Sequence, residues 1–140
     1  MGTSYLLDSS VLVLSLKQDI TIHQHLAEAA TLYLSTVVLG ELYYGAEHSD
    51  NVQKSLDEVN ALAKTATILP VDSITAKVYG YIKHMQRTKG SMLPDNDLWI
   101  AATAIQYKLT LAARDQHFTW VTGLALSSGN WKRRLICPPL

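Results

Sequence analysis

Four short apolar runs, at 4–7, 32–36, 66–71 and 109–113, alternate with stretches of helical periodicity along this chain. That alternation limits the fold more than any other feature. Runs this short read as buried strands, and the segments between them are long enough for helical crossovers. VLVLSLKQ, after Asp8, Ser9 and Ser10, enters a helix-like segment, and 22–30 reads as a second short helix. The stretch 37–48 has helical spacing through Val38, Leu42 and Ala46. A longer amphipathic helix is predicted at about 51–66, with Val52, Leu56, Val59 and Ala63 on one stripe. Asp72 is placed to cap a helix over 73–89 that ends near Gly90. Pro94 and Asp95 open another, running to about Lys108, with Asp95 as its cap. A fifth short strand is predicted near Trp120–Val121, and the tail from Leu124 carries no readable pattern. Strands alternating with helices predict an α/β sandwich with a mostly parallel central sheet.

Within that frame four carboxylates stand out. Asp8 ends YLLD, Glu41 interrupts VVLGELYY, Asp97 opens DLWIAATAI, and Asp115 follows LTLAAR. None has an obvious basic partner on its own element. Unpaired carboxylates in apolar surroundings are costly, so most go to the surface. In open parallel sheets, ligands bind beyond the carboxyl ends of the strands. Asp8 lies just past the first strand and Asp115 just past the fourth. Glu41 is about one turn into the helix after the second, and Asp97 opens the helix before the fourth. All four can reach one sheet edge, where a hard divalent cation is the natural way to hold them together.

Each acid also has a plainer reading. Asp8 suits a helix cap, Asp97 the favourable end of a helix dipole, and Asp115 a turn. Glu41 is the hardest to dismiss. Its neighbours three and four residues away are Val37, Val38, Tyr44 and Gly45, which offer no helical ion pair.

The bulk numbers exclude several classes. At 140 residues the chain fits one domain, 1–140, with a core of useful size. Hydrophobic residues make up 48% and charged residues 17%, which excludes a disordered chain. No apolar run is long enough for a membrane helix. The start lacks a basic segment and Asp8 interrupts its apolar stretch, so a secretory leader is not expected. Cys137 is the single cysteine, so no internal disulfide forms, which fits a reducing compartment. Net charge is zero; if the four acids share one ion, eight acids remain against twelve bases. Such a mildly basic remainder permits phosphate binding without demanding it. There is no repeat, no GxxxxGK or GxGxxG phosphate loop and no GxSxG nucleophile turn.

YLLDSSVLV, GELYYGA, NDLWIAATAI and LTLAARDQHF follow one another in the order and spacing of PIN-domain ribonucleases. The chain most resembles the VapC-type toxins of toxin–antitoxin modules, from about residue 4 to 123, and NDLWIAATA is its most specific segment. The resemblance implies a three-layer α/β/α sandwich. It also implies a metal-dependent endoribonuclease, with Asp8, Glu41, Asp97 and Asp115 as ligands of Mg²⁺ or Mn²⁺. Ser10 falls where the family often has a small polar residue, and Asn96 precedes the third acid as in the family pattern. The implied substrate is RNA, with tRNA or rRNA as target class. The implied partners are a VapB-like antitoxin and a second copy of the chain, in the cytoplasm. The chain departs from the family at Ala113, where a Thr is common, and at His117, where an acid is sometimes seen.

Other features carry two readings. Lys83, His84, Arg87 and Lys89, and the cluster Lys132, Arg133 and Arg134, suit phosphate contacts or simply solvated surface. Arg114 suits a scissile phosphate or an ion pair. His23 and His25 share no helix face, so surface placement is expected. His117 suits proton transfer or an ordinary surface role. Tyr43, Tyr44, Trp99, Trp120 and Trp131 suit base stacking or packing. Apolar residues at about 37–66 suit an antitoxin or dimer interface, and equally a core. The competing function is a PIN-like scaffold that binds RNA or protein without cutting. A third possibility is a DNA nuclease or phosphatase using similar acids.

Overall fold

The computed structural model describes residues 4–12 and 31–127 of the chain. The predicted helix at 22–30, most of VLVLSLKQ, His23, His25, Trp131, Cys137 and the basic cluster at 132–134 lie outside the described residues.

Five strands form one sheet: β1 (Tyr5–Leu7), β2 (Leu32–Ser35), β3 (Thr67–Leu69), β4 (Thr110–Ala112) and β5 (Leu126–Ser127). Among the described residues the helices with full bounds are α1 (Thr36–Glu47), α2 (Val52–Thr65), α3 (Ser73–Lys89) and α4 (Asp95–Tyr107). The strand order is β3-β2-β1-β4-β5 and every pairing is parallel. The result is the predicted three-layer α/β/α sandwich. Counted outward from β1, the chain adds β2 and β3 on one side, then β4 and β5 on the other. The strand order reverses at β1 and β4, the position at which doubly wound sheets open a crevice for ligands.

Burial follows from the sequence pattern. Leu6 and Leu7 of β1, Leu34 of β2, and Leu111 and Ala112 of β4 are fully buried. α4 buries Leu98 and Ile100 in the core together with Ala101, Ala102 and Ala104, whose small side chains let it lie close to its neighbours. α1 faces the core with Val38, Leu42 and Ala46, as their spacing predicts. On α2 only Val59 of the predicted stripe is fully buried, while Val52 reaches 36% exposure. α2 packs mainly on α1 rather than on the sheet, so its apolar face is only partly covered.

Local signals set the boundaries. Ser35 Oγ accepts from the Val38 amide, so the second strand stops at Ser35 and Thr36 already belongs to α1. Pro70 has no amide hydrogen to extend β3. α3 has the predicted Asp72 cap, completed by Thr75 into a capping box, and ends at Gly90 with a φ of 71°.

Two expectations are corrected. Trp120–Val121 is not a strand. Residues Gln116–Trp120 form a 3-10 helix and the fifth strand is Leu126–Ser127. The Asp115 side chain caps that turn and Phe118, 1% exposed, anchors it in the core. Tertiary burial overrides the strand preference of Trp and Val. Nor is Asp95 the cap of α4. Pro94 holds that position without a side-chain bond. Asp95 instead accepts from Tyr79 Oη and Lys83 Nζ, both at 2.9 Å, tying α4 to α3. Among the described residues no helix is long and apolar enough to cross a membrane.

Candidate metal centre

Asp8 sits where β1 leaves the sheet. Its amide donates to Ala112 O at 2.9 Å, extending the contact with β4 by one residue. Its carbonyl then accepts from the Val11 and Leu12 amides, and the chain turns helical at once. The side chain is 5% exposed. Asp8 Oδ2 accepts from Ser10 Oγ at 2.6 Å and from the Ser10 amide at 3.3 Å. Asp8 therefore caps this turn, as its plainer reading predicts. Ser10 Oγ also accepts from the Arg114 amide at 3.3 Å, joining the ends of β1 and β4. Burial pushes the Asp8 carboxyl above its ordinary pKa; Ser10 opposes the shift and the Asp115 charge adds to it.

Glu41 reaches the same edge from α1. Its Oε1 is buried and has no hydrogen-bond partner among the described residues. Burial raises its pKa, the Asp8 charge raises it further, and side-chain hydrogen bonds from Ser9 and Asn96 work against both. Asp97 lies in the first turn of α4. Its pKa is pushed up to about 6 by burial, then by Asp8, Glu41 and Asp115, with His117 opposing. Among the described residues no hydrogen-bond donor serves the Asp97 carboxylate. Asp115 follows β4. Its Oδ1 accepts from the His117 amide and pairs with His117 Nδ1, each at 2.9 Å.

The four acids thus share one electrostatic neighbourhood at the carboxyl edge of β1 and β4. No lysine or arginine pairs with any of them among the described residues; the ion pairs there are Lys83–Asp95 and His117–Asp115. Nor, among the described residues, do three or more acidic, histidine or cysteine side chains already stand close enough to grip an ion. The donor set nonetheless suits a hard divalent ion: every candidate atom is a carboxylate oxygen, and one of them is buried without a partner. A carboxylate oxygen left in that state is what a cation would complete.

Two flanking residues were not assigned a role from the sequence. Ser9 and Asn96 both serve Glu41. Their positions, each next to one of the acids in sequence, were visible, but their convergence on a third acid was not. Arg114 is half-buried and forms no ion pair among the described residues, which removes its pairing role there. A cavity of about 940 Å³ opens beside Glu41, between α1 and α2, lined by Ser9, Asn96, Thr36, Tyr44, Ser55 and Glu58 among others.

The aromatics largely pack. Trp99 stacks on Tyr79 with centroids 3.8 Å apart, Trp120 lies tilted on His117, and Tyr43 donates to Asn60. Tyr44 stays 70% exposed beside His48. Of the basic cluster on α3, Lys83 is held by Asp95, and Lys89 by Trp120 O and Thr122 Oγ1.

Residues 5–124 match the model of the PIN domain family. A protein named Ribonuclease VapC2 from Haemophilus influenzae is 28% identical over 130 residues, covering 91% of this chain and 97% of that one. Toxin FitB from Neisseria gonorrhoeae is 33% identical over 90 residues, or 60% of this chain and 65% of FitB. The crystal structure of VapBC2 from Rickettsia felis, bound to a promoter DNA fragment, superposes with a TM-score of 0.82 at 23% identity. It covers 90% of this chain and 98% of that one. FitAcB from Neisseria gonorrhoeae gives a TM-score of 0.75 at 28% identity, covering 91% and 98%.

Proposed function

The chain belongs to the PIN domain family, and on that premise we propose that it is a metal-dependent endoribonuclease, the toxin half of a VapBC-type toxin–antitoxin pair. The observation that carries this reading is the group of four acids at one sheet edge, mutually coupled and unpaired with lysine or arginine among the described residues. The ribonuclease name of the Haemophilus influenzae relative, and the antitoxin complexes among the similar structures, support the activity and the partner.

Asp8, Glu41, Asp97 and Asp115 would hold Mg²⁺ or Mn²⁺. Such an ion supplies Lewis-acid stabilisation of phosphoryl charge and a more acidic water. The chain's own residues do the rest. Ser10 holds Asp8 against the end of β1, and Ser9 and Asn96 orient one oxygen of Glu41 while leaving Oε1 open. Asp97, which no donor serves among the described residues, is the acid suited to take the proton of the attacking water. Arg114 borders the site and suits the scissile phosphate. The substrate is RNA, with tRNA or rRNA as candidate targets. A VapB-like antitoxin, a homodimer and a cytoplasmic location complete the reading.

RNA cleavage tests it. The purified protein should cut RNA only with Mg²⁺ or Mn²⁺, and Asp8→Asn or Asp97→Asn should each lower the rate at least about 100-fold. Cleavage by both variants at the wild-type rate would sink the site. A wild-type protein that binds RNA without cutting it would favour the scaffold instead. Equal action on DNA or phosphomonoesters would move the substrate class.

A further inference from the structure

We propose that His117 is a positioning residue for the fourth acid: its Nδ1–H locks one oxygen of Asp115 so that the other is presented to the bound ion. The inference rests on the four-acid reading above and deepens it at a position where the chain departs from the family pattern.

Three observations carry it. First, Asp115 Oδ1 accepts from the His117 amide at 2.9 Å and lies 2.9 Å from His117 Nδ1, an ion-pair contact between side chains 55% and 42% exposed for His117 and Asp115. Among the described residues Asp115 Oδ2 receives no hydrogen bond. A carboxylate fixed at one oxygen can rotate little, so the free oxygen has a set direction. Second, the lock is itself held in place. Asp115 caps the 3-10 helix that begins at Gln116, Phe118 anchors that helix in the core, and the Trp120 ring lies 4.6 Å from the His117 ring. An imidazole packed on an indole keeps its nitrogen aimed. Third, the pair lies beside the other acids: the charge of Asp115 acts on both Asp8 and Asp97, and His117 also acts on Asp97. Asp115 enters from a loop after β4, whereas Glu41 and Asp97 are carried by helices. Of the four, the loop acid is the one that most needs an external constraint. Hydrogen bonds from outside the ligand set commonly orient metal-binding carboxylates, and their loss weakens metal affinity about 10- to 100-fold.

Mn²⁺ binding, followed by electron paramagnetic resonance titration, provides a test that does not depend on cleavage. His117→Phe keeps a ring against Trp120 and removes the donor; His117→Asn places an amide N–H close to where Nδ1–H stood. The expected result is roughly tenfold weaker Mn²⁺ binding for His117→Phe and near wild-type binding for His117→Asn, with thermal unfolding showing both variants folded. Unchanged or tighter binding by folded His117→Phe would overturn the inference. So would a nitrogen coupling to Mn²⁺ in the wild type that disappears in that variant, because His117 would then be a ligand itself. Wild-type protein that binds no Mn²⁺ would overturn the four-acid reading, and this inference with it.

Discussion

Asp8 and Glu41 have hydrogen-bond donors that oppose the rise in their pKa, and Asp97 has none among the described residues. Burial, then the charges of Asp8, Glu41 and Asp115, push Asp97 up to about 6, and no hydrogen bond offsets them among the described residues. The sign for stability follows directly. Between about pH 4 and pH 6 the folded metal-free protein holds a proton on Asp97 that the unfolded chain has lost, so this group lowers stability as pH rises through that window. Asp97→Asn should therefore stabilise the metal-free protein at about pH 7.5 by roughly 1 kcal/mol, allowing for solvent screening, and much less at about pH 4. Urea unfolding at the two pH values checks this. Mn²⁺ binding should also weaken as pH falls below about 6, because the ion must then displace the Asp97 proton. A destabilised Asp97→Asn at about pH 7.5 would contradict the assigned cause of the shift. At this scale the acids were legible, because a charge inside an apolar run stands out on the page. The donors Ser9, Asn96 and His117 were not, since nothing in a linear chain says which side chain will meet which acid.

The helices show how strongly short-range signals fix an element. α3 begins and ends where its sequence says it should, with the Asp72 capping box at one end and Gly90 at the other. Replacing Asp72 by Ala removes three side-chain bonds to Ile74 and Thr75 and one from Gln106. The variant should melt roughly 3–6 °C below wild type in a calorimeter, with Asp72→Asn closer to wild type. The C-termini of α3 and α4 offer opposite tests. Gly90 and Lys108 both have positive φ, 71° and 55°. Gly90→Ala should destabilise by about 1 kcal/mol and Lys108→Gly should stabilise by about 0.5 kcal/mol, both read by denaturant unfolding. Signals failed where elements are very short. Trp120–Val121 has the composition of a strand, yet the burial of Phe118 and the Asp115 cap wind the segment into a 3-10 turn. Asp95 had the position of a cap, but Tyr79 and Lys83 on a neighbouring helix claim it.

For the whole molecule, the parallel sheet brings acids from four distant segments to one edge, and a ligand of that edge should stabilise the entire fold. Mn²⁺ at about one hundred times its dissociation constant should add about 2.7 kcal/mol to the unfolding free energy at about pH 7.5. The rise in melting temperature should be absent in Asp8→Asn, and an equal rise in both proteins would place the ion elsewhere. The sequence by itself determined the alternation of strands and helices, the parallel sheet, most element boundaries and the identity of the four acids. It could do so because periodicity, capping residues and charges in apolar runs act over a few residues. Tertiary structure alone decided the strand order β3-β2-β1-β4-β5, the winding of 116–120, and the pairing of each acid with its donors. These depend on contacts between segments up to 104 residues apart, as in the Arg114 amide on Ser10 Oγ, and such contacts exist only once the chain has closed on itself.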